Sequence, residues 1–152
     1  NKLNIVELCA GNALTSITSQ FLLPITRSIA IDKNKPNRPY NRVKNFSYSK
    51  KDIFTDNIRQ FIDVNTILIS VHPCKELASR VIELFNENKS RYLYLMPCCR
   101  GNIKKVPYSI QEKLGYYKSW CLDLTYRLDS CNLVFENGCM SPCNGIVIGK
   151  KL

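Results

Sequence analysis

The chain has 152 residues, 45% of them hydrophobic, enough to bury a core and too many for a disordered chain. No apolar run reaches the length of a membrane span, and the charged start leads directly into a strand-like run, which predicts neither an export signal nor a membrane partner. Lys and Arg number 22 against 12 Asp and Glu, and the resulting charge of +10 favours a polyanionic partner, most often nucleic acid.

The chain is organised around its first forty residues. Asn4-Ile5-Val6-Glu7-Leu8-Cys9-Ala10-Gly11-Asn12-Ala13 reads as a buried strand running into a tight turn of small residues. A helical stretch follows, from about Leu14 to Leu23, and Ser28-Ile29-Ala30-Ile31-Asp32 reads as a second buried strand ending in a carboxylate. Strand, small turn, helix and strand ending in Asp make one βαβ unit over roughly 4–32 that could hold a nucleoside. The small turn admits a ligand to the backbone. The carboxylate at the sheet edge can accept both ribose hydroxyls.

Residues 33–51 differ in kind. Lys33, Lys35, Arg38, Arg42, Lys44, Lys50 and Lys51 carry seven positive charges with no acid among them. Pro36 and Pro39 argue for a loop, and Phe46-Ser47-Tyr48 for a short third strand. A basic loop interleaved with Tyr40, Phe46 and Tyr48 suits a phosphate backbone with a base stacked nearby, or a solvated loop.

Asn57 to Phe61 reads as a short helix. Asn65 to Val71 is a β-branched, continuously apolar strand, which implies burial on both faces as in a parallel sheet. Leu77, Val81, Leu84 and Phe85 give the helix from about Glu76 to Glu87 an inner face. Tyr92 to Met96 is the next strand. Ser109 to Leu114 looks helical, with Gly115 as a C-cap, and Trp120 to Leu128 looks like another helix. A hairpin closes the chain, Asn132 to Glu136 turning back through Gly145 to Lys150. No repeat or low-complexity linker divides the sequence, so residues 1–152 are expected to form a single domain. The alternation predicts an α/β, doubly wound sheet of seven strands, mostly parallel with an antiparallel last strand.

With those residues in view, the sequence resembles a class I S-adenosylmethionine (SAM)-dependent methyltransferase, whose Rossmann-like sheet ends in a reversed strand. Glu7-Leu8-Cys9-Ala10-Gly11-Asn12-Ala13 aligns with that family's acidic-x-Gly-x-Gly-x-Gly turn, with Cys9 and Ala13 at two of the glycine positions. Neither takes up positive φ as readily as glycine. Asp32 matches the acid that binds the ribose, and Asp52 and Ile53 match positions beside the adenine. The resemblance thus implies SAM as cofactor, bound by Glu7, Cys9, Ala10, Gly11, Asp32, Lys33, Asp52, Ile53 and Val71. Val71-His72-Pro73-Cys74-Lys75-Glu76-Leu77 is similar to a His-x-Cys-x-x-Leu/Ala signature, and Met96-Pro97-Cys98-Cys99-Arg100-Gly101 to a Pro-Cys-Cys-x-Gly signature. Both occur in a branch with tRNA 2′-O-methyltransferases of the acceptor stem. The methyltransferase-like region of glutathione S-transferase C-terminal domain-containing proteins belongs to the same branch.

Ligands of a parallel α/β sheet sit beyond the carboxyl ends of its strands. That rule brings Cys9, Cys74, Cys98, Cys99, Cys139 and Cys143, six of the eight cysteines, and the only histidine, His72, to one rim. Eight cysteines without an export signal predict reduced thiols or a metal in an intracellular, cytoplasmic or nuclear, setting. Three readings of the rim compete. In the first it lines cofactor and substrate: His72 acts as general base or orients the acceptor, Lys75 or Arg100 supplies a cation, and His72, Lys75 and Cys98 are the catalytic residues. In the second His72, Cys74, Cys98 and Cys99 hold zinc, although the adjacent side chains of Cys98 and Cys99 tend to diverge in an extended chain. In the third the cysteines only pack. The first is preferred, with no metal expected. Trp120, Tyr116 and Tyr117 read as packing, and Asn144 as a turn cap or a contact to substrate. The leading functional expectation is methyl transfer to RNA, possibly tRNA, with recognition completed by a partner protein or further segments. The alternatives are a SAM-binding interaction module without catalysis, or methylation of a small molecule or protein.

Overall fold

A computed structural model describes residues 2–151. Seven strands form one sheet: β1 (Asn4–Leu8), β2 (Arg27–Asp32), β3 (Phe46–Lys50), β4 (Thr66–Val71), β5 (Tyr92–Met96), β6 (Cys131–Phe135) and β7 (Gly145–Lys150). Their order is β3-β2-β1-β4-β5-β7-β6. β1 pairs in parallel with β2 and β4, β2 with β3, and β4 with β5, while β7 runs antiparallel to both β5 and β6. The seven-stranded sheet with a reversed last strand is therefore as expected from the sequence. The order reverses at β1, so the switch point lies between β1 and β4, where such sheets open a crevice.

Four helices accompany the sheet: α1 (Leu14–Leu22), α2 (Glu76–Glu87), α3 (Tyr108–Leu114) and α4 (Tyr116–Thr125). The crossovers from β2 to β3 and from β3 to β4 contain only the short 3-10 turns Tyr40–Arg42 and Arg59–Phe61. The second of these stands where the sequence suggested a helix. The helix expected from Trp120 instead begins at Tyr116 and ends at Thr125. Gly115, at φ 74, terminates α3 and lets the chain restart at once.

One face of the sheet carries the main core. Val6, Leu8, Ile29, Ile31, Leu68, Leu93, Leu95 and Val147 meet Val81, Ile82, Leu84 and Phe85 of α2 and Trp120, Cys121 and Leu124 of α4. Leu77, expected on the inner face of α2, is only half-buried. The other face is covered over β1, β2 and β3 by α1, whose buried residues are Ser16 and Ser19. The helix is held there by polar contacts. The Glu7 carboxylate accepts the Ser16 amide at 2.9 Å and its hydroxyl at 2.6 Å, and Ser28 Oγ donates to Gln20 Oε1 at 3.0 Å. Leu14, Phe21 and Leu22 face outward instead.

The expectation that β4 is buried on both faces is corrected. Thr66, Leu68 and Ser70 are buried, whereas Ile67, Ile69 and Val71 are only half-buried. β7 alternates in the same way. Among the described residues no helix lies over this side of β4, β5 and β7, so a continuously apolar strand sequence meets cover on one side only.

Candidate cofactor site and its cysteine rim

The turn after β1 has the backbone of a glycine-rich loop without the glycines. Cys9, Gly11 and Ala13 stand at φ 57, 50 and 57, all left-handed. A left-handed non-glycine residue costs roughly 1–2 kcal/mol and persists only where its surroundings over-determine it. Here they do. The Ala10 amide donates to Ile31 O at 3.1 Å and the Ala13 amide to Ala10 O at 2.7 Å. Tyr48 Oη donates to Gly11 O at 2.7 Å, and Tyr40 Oη reaches Asn12 O at 3.4 Å. Burial pushes the Tyr48 phenol above its ordinary range, so it remains a donor.

Asp32 closes β2 directly opposite. Its Oδ2 accepts the Gly11 amide at 3.0 Å and its Oδ1 the Asn34 amide at 2.8 Å. A carboxylate offers about four lone-pair sites, so two backbone bonds fix its plane and leave acceptors free. It borders a cavity of about 270 Å³ lined by Cys9, Asp32, Lys33, Asn34, Lys51, Asp52, Ile53, Phe54 and Leu77. Lys33 Nζ meets Asp52 Oδ2 at 3.2 Å across its mouth, and the Phe54 amide donates to Asp52 Oδ1 at 2.9 Å. The Phe54 amide, then Lys33, hold the Asp52 carboxyl below its ordinary value. Burial, then the Asp32 charge, pushes the Cys9 thiol up to about 12, so it lines the cavity as a neutral group.

Five of the residues named from the sequence therefore share one cavity: Cys9, Asp32, Lys33, Asp52 and Ile53. Glu7, Ala10, Gly11 and Val71 do not line it. Glu7 is buried beneath the turn, and Gly11 acts through its amide on Asp32. Asn34, Lys51, Phe54 and Leu77 line it as well and were missed as lining residues. Phe54 follows the Asp52-Ile53 pair directly, and the helical spacing of Leu77 points only to the helix interior.

The rim beyond β4 and β5 is a second feature. Cys74, in the turn between β4 and α2, has Sγ 3.1 Å from that of Cys98 and 3.1 Å from that of Cys99, and Cys98 and Cys99 are 3.3 Å apart. The two adjacent side chains thus converge rather than diverge, because the chain leaves β5 in an irregular turn instead of continuing extended. Hydrogen bonding from Cys74 and Cys98 holds the Cys99 thiol below its ordinary value, and burial holds that of Cys98 well above it. A cavity of about 510 Å³ adjoins them, lined by Lys75, Cys98, Cys99, Arg100, Tyr117, Pro142 and Cys143. His72 is exposed at φ 63, and Lys75 stands at φ 46. Of the three residues expected to be catalytic, Lys75 and Cys98 share this cavity and His72 lies beside it in sequence, at the end of β4.

The aromatic half of the expected nucleic-acid segment is corrected. Tyr40 and Tyr48 are buried and stack on each other at 4.9 Å, with Phe46 at 5.6 Å from Tyr40. Their rings brace the turn after β1 and are not free to stack on a base. The cations are exposed: Lys33, Lys35, Arg38, Arg42, Lys44 and Lys50 all face solvent. Trp120 is buried as expected, and Asn144 caps the hairpin, its Nδ2 donating to Glu136 O at 3.1 Å.

The model of a family described as "Methyltransferase domain" matches residues 1–106. The chain belongs to this methyltransferase family. No curated protein matches the sequence. Among solved structures, the SAM-dependent methyltransferase SibL in its apo form superposes with a TM-score of 0.65 at 12% identity, over 99% of this chain and 51% of its own. Sp1610 of Streptococcus pneumoniae, provisionally assigned as a tRNA (m1A22) methyltransferase, gives 0.58 at 11% identity, over 100% of this chain and 66% of its own. A SAM-dependent methyltransferase of Aquifex aeolicus gives 0.60 at 12%, over 96% and 79%. The methyltransferase fold is thus shared at low identity, and the chain spans about half the length of SibL. SAM is the cofactor this family implies, and the residues present fit it. The left-handed turn brings backbone close to the crevice, and Asp32 is oriented at the sheet edge with acceptors to spare. No helix among the described residues is long and apolar enough to cross a membrane.

Proposed function

We propose that this domain transfers a methyl group from SAM to RNA, with tRNA or another structured RNA as acceptor. The observation that carries the reading is the Asp32 carboxylate, held by the Gly11 and Asn34 amides at the wall of the cavity beside the β1 turn. A bound SAM supplies an electrophilic methyl group on a sulfonium. The residues of the chain do the rest. Asp32 accepts the ribose hydroxyls with its free lone pairs. Asp52 and the Ile53 amide would hold the adenine edge, with Lys33 paired to Asp52 at 3.2 Å beside them. Ile53, Phe54 and Leu77 exclude water from the base.

Methyl transfer is an in-line displacement, so most of the catalysis is alignment. His72 orients the acceptor or takes the proton from a ribose hydroxyl, Lys75 eases that ionisation, and Cys98 lines the acceptor cavity. The exposed Lys35, Arg38, Arg42, Lys44 and Lys50 make no ion pair among the described residues, which supports a phosphate backbone as their partner. The paired His72-Pro73-Cys74 and Pro97-Cys98-Cys99 signatures support the branch of the tRNA 2′-O-methyltransferases. A partner protein or further segments complete recognition. Eight free cysteines favour a reducing cytoplasmic or nuclear setting.

The test is transfer of labelled methyl groups from SAM to total RNA and total protein, separated afterwards by nuclease and protease. Nuclease-sensitive label is expected. Label in protein or in small molecules would replace the RNA reading. SAM binding without any transfer would make the domain a binding module.

A further inference from the structure

Three thiols from two separate loops meet at the rim, and nothing in the proposed methyl transfer requires three of them. Cys74 comes from the turn between β4 and α2, and Cys98 and Cys99 from the exit of β5. Their Sγ atoms form a triangle with edges of 3.1, 3.1 and 3.3 Å. Among the described residues, these are the one group of three or more His, Cys, Asp or Glu side chains whose ligand atoms converge within 4.8 Å. The His72 ring lies outside the group, although the sequence alone had suggested it as a fourth ligand.

The surrounding backbone is committed to this convergence. His72 and Lys75, on either side of the Pro73-Cys74 pair, both have positive φ, at 63 and 46. Neither residue is one that favours that region at no cost. Cys98 Sγ contacts His72 O at 3.3 Å, and Cys143 Sγ donates to Cys98 O at 2.8 Å, fixing the β5 exit against both neighbouring loops.

The geometry suits one kind of occupant. A triangle with edges of 3.1–3.3 Å has its corners about 1.8 Å from its centre, so an ion ~2.3 Å from each sulfur sits about 1.4 Å off the plane. A tetrahedral ion at that distance spaces its sulfurs about 3.8 Å apart, so the triangle opens by roughly half an ångström as the ion seats, and the outer side of the ion stays open. Three thiolates around a divalent ion leave one net negative charge. The cavity beside them is lined by Lys75 and Arg100 and by no carboxylate. Soft sulfur donors without oxygen ligands select thiophilic ions over Mg²⁺ or Ca²⁺.

We propose that Cys74, Cys98 and Cys99 form a three-thiolate site for Zn²⁺ whose fourth position opens to the cavity bounded by Lys75 and Arg100. Binding releases the thiol protons to solvent and leaves no sulfur oxidised. The open position takes water or a donor atom of the acceptor. The site stands independently of which substrate is methylated.

Co²⁺ is the probe. The full chain, reduced and freed of metal by a chelator, is titrated with Co²⁺ without oxygen. One equivalent is expected to produce an intense thiolate-to-cobalt band in the near ultraviolet and the visible bands of a tetrahedral ion, and Zn²⁺ should bleach both. Cys74→Ser, in an exposed turn, should weaken Zn²⁺ binding by about a hundredfold or more against a chromophoric chelator. Cys98→Ser should do the same. Cys131→Ser, on the exposed face of β6, should leave binding unchanged, and circular dichroism checks that each variant folds. Absence of the bands in the reduced wild type overturns the proposal. So does a signal that Cys74→Ser and Cys98→Ser both retain. Mapping of a disulfide between Cys74 and Cys98 or Cys99 in air, with no metal uptake by the reduced chain, would assign the triangle to thiol oxidation instead.

Discussion

Gly101 lies flat against the indole of Trp120: a Cβ built at Gly101 would stand 2.2 Å from Cζ2 of that ring. The ring is 1% exposed, with the Arg127 guanidinium 5.2 Å above it. The last residue of the Pro-Cys-Cys-x-Gly stretch is therefore a glycine because the chain leaving β5 must pass over a buried aromatic. The thiol-bearing turn is positioned by that contact.

Gly101→Ala should overpack this contact. A destabilisation of about 1–3 kcal/mol is expected, a fall in Tm of roughly 3–10 °C. Trp120 is the only tryptophan, so its fluorescence during denaturant unfolding reports the change directly. An unaltered midpoint would mean that the turn does not rest on the indole.

Cys9 tests whether the turn after β1 needs left-handed backbone. Cys9→Gly removes a strain of roughly 1–2 kcal/mol and loses about 0.5–1 kcal/mol of chain entropy, so stability should stay the same or rise by up to about 1.5 kcal/mol. Cys9→Val places a β-branched residue at φ 57 and should cost more than about 1 kcal/mol. Urea unfolding of the pair compares them. Equal stability of the two variants would count against the strained turn.

Asp123 gives a pH dependence. It is fully buried in α4, its Oδ1 accepts the Lys104 and Lys105 amides at 2.7 and 2.5 Å, and its Oδ2 pairs with Arg127 at 2.5 Å. Burial alone would raise this carboxyl, but the Lys105 amide, Arg127 and the Lys104 amide together hold it below its ordinary value. A lowered folded-state pKa contributes stability that is present above the unfolded value near ~3.9 and is lost as pH falls through the folded one. Asp123→Asn should destabilise at pH 7 by about 3–5 kcal/mol, since Arg127 is left unpaired. The difference should shrink as pH falls below ~3.9. Urea unfolding at neutral and acidic pH measures both. A difference independent of pH would assign the loss to shape rather than charge.

The sheet was legible in the sequence because its strands are short apolar runs with clear ends, as in Ile5-Val6-Glu7-Leu8 and Thr66 to Val71. Asp32 was legible because a strand ending in a carboxylate after a small-residue turn has few other uses. The bracing of the turn was not. Tyr40 and Tyr48 sit among lysines and arginines, and only the fold of 33–51 over the β1 turn buries them together. The convergence of Cys98 with Cys99 was hidden for a similar reason. β5 ends at Met96, before Pro97, as the sequence suggests, but adjacent side chains diverge in an extended chain and nothing local gives the path of the turn that follows. The half-buried side of β4 was misread because it carries the branched apolar residues Ile67, Ile69 and Val71, while Thr66 and Ser70 fall on the buried side, and cover is a property of neighbours rather than of the strand.

The account depends most on a SAM site closed by the carboxylate at the end of β2. Calorimetric titration of SAM into the wild type and Asp32→Ala, with circular dichroism to confirm that both fold, tests it directly. One site per chain is expected in the wild type. Losing the hydrogen bonds of a charged acceptor, each worth about 1.5–3 kcal/mol, should weaken binding in Asp32→Ala by at least about tenfold. No binding by the wild type, or the same affinity in the variant, would contradict the account.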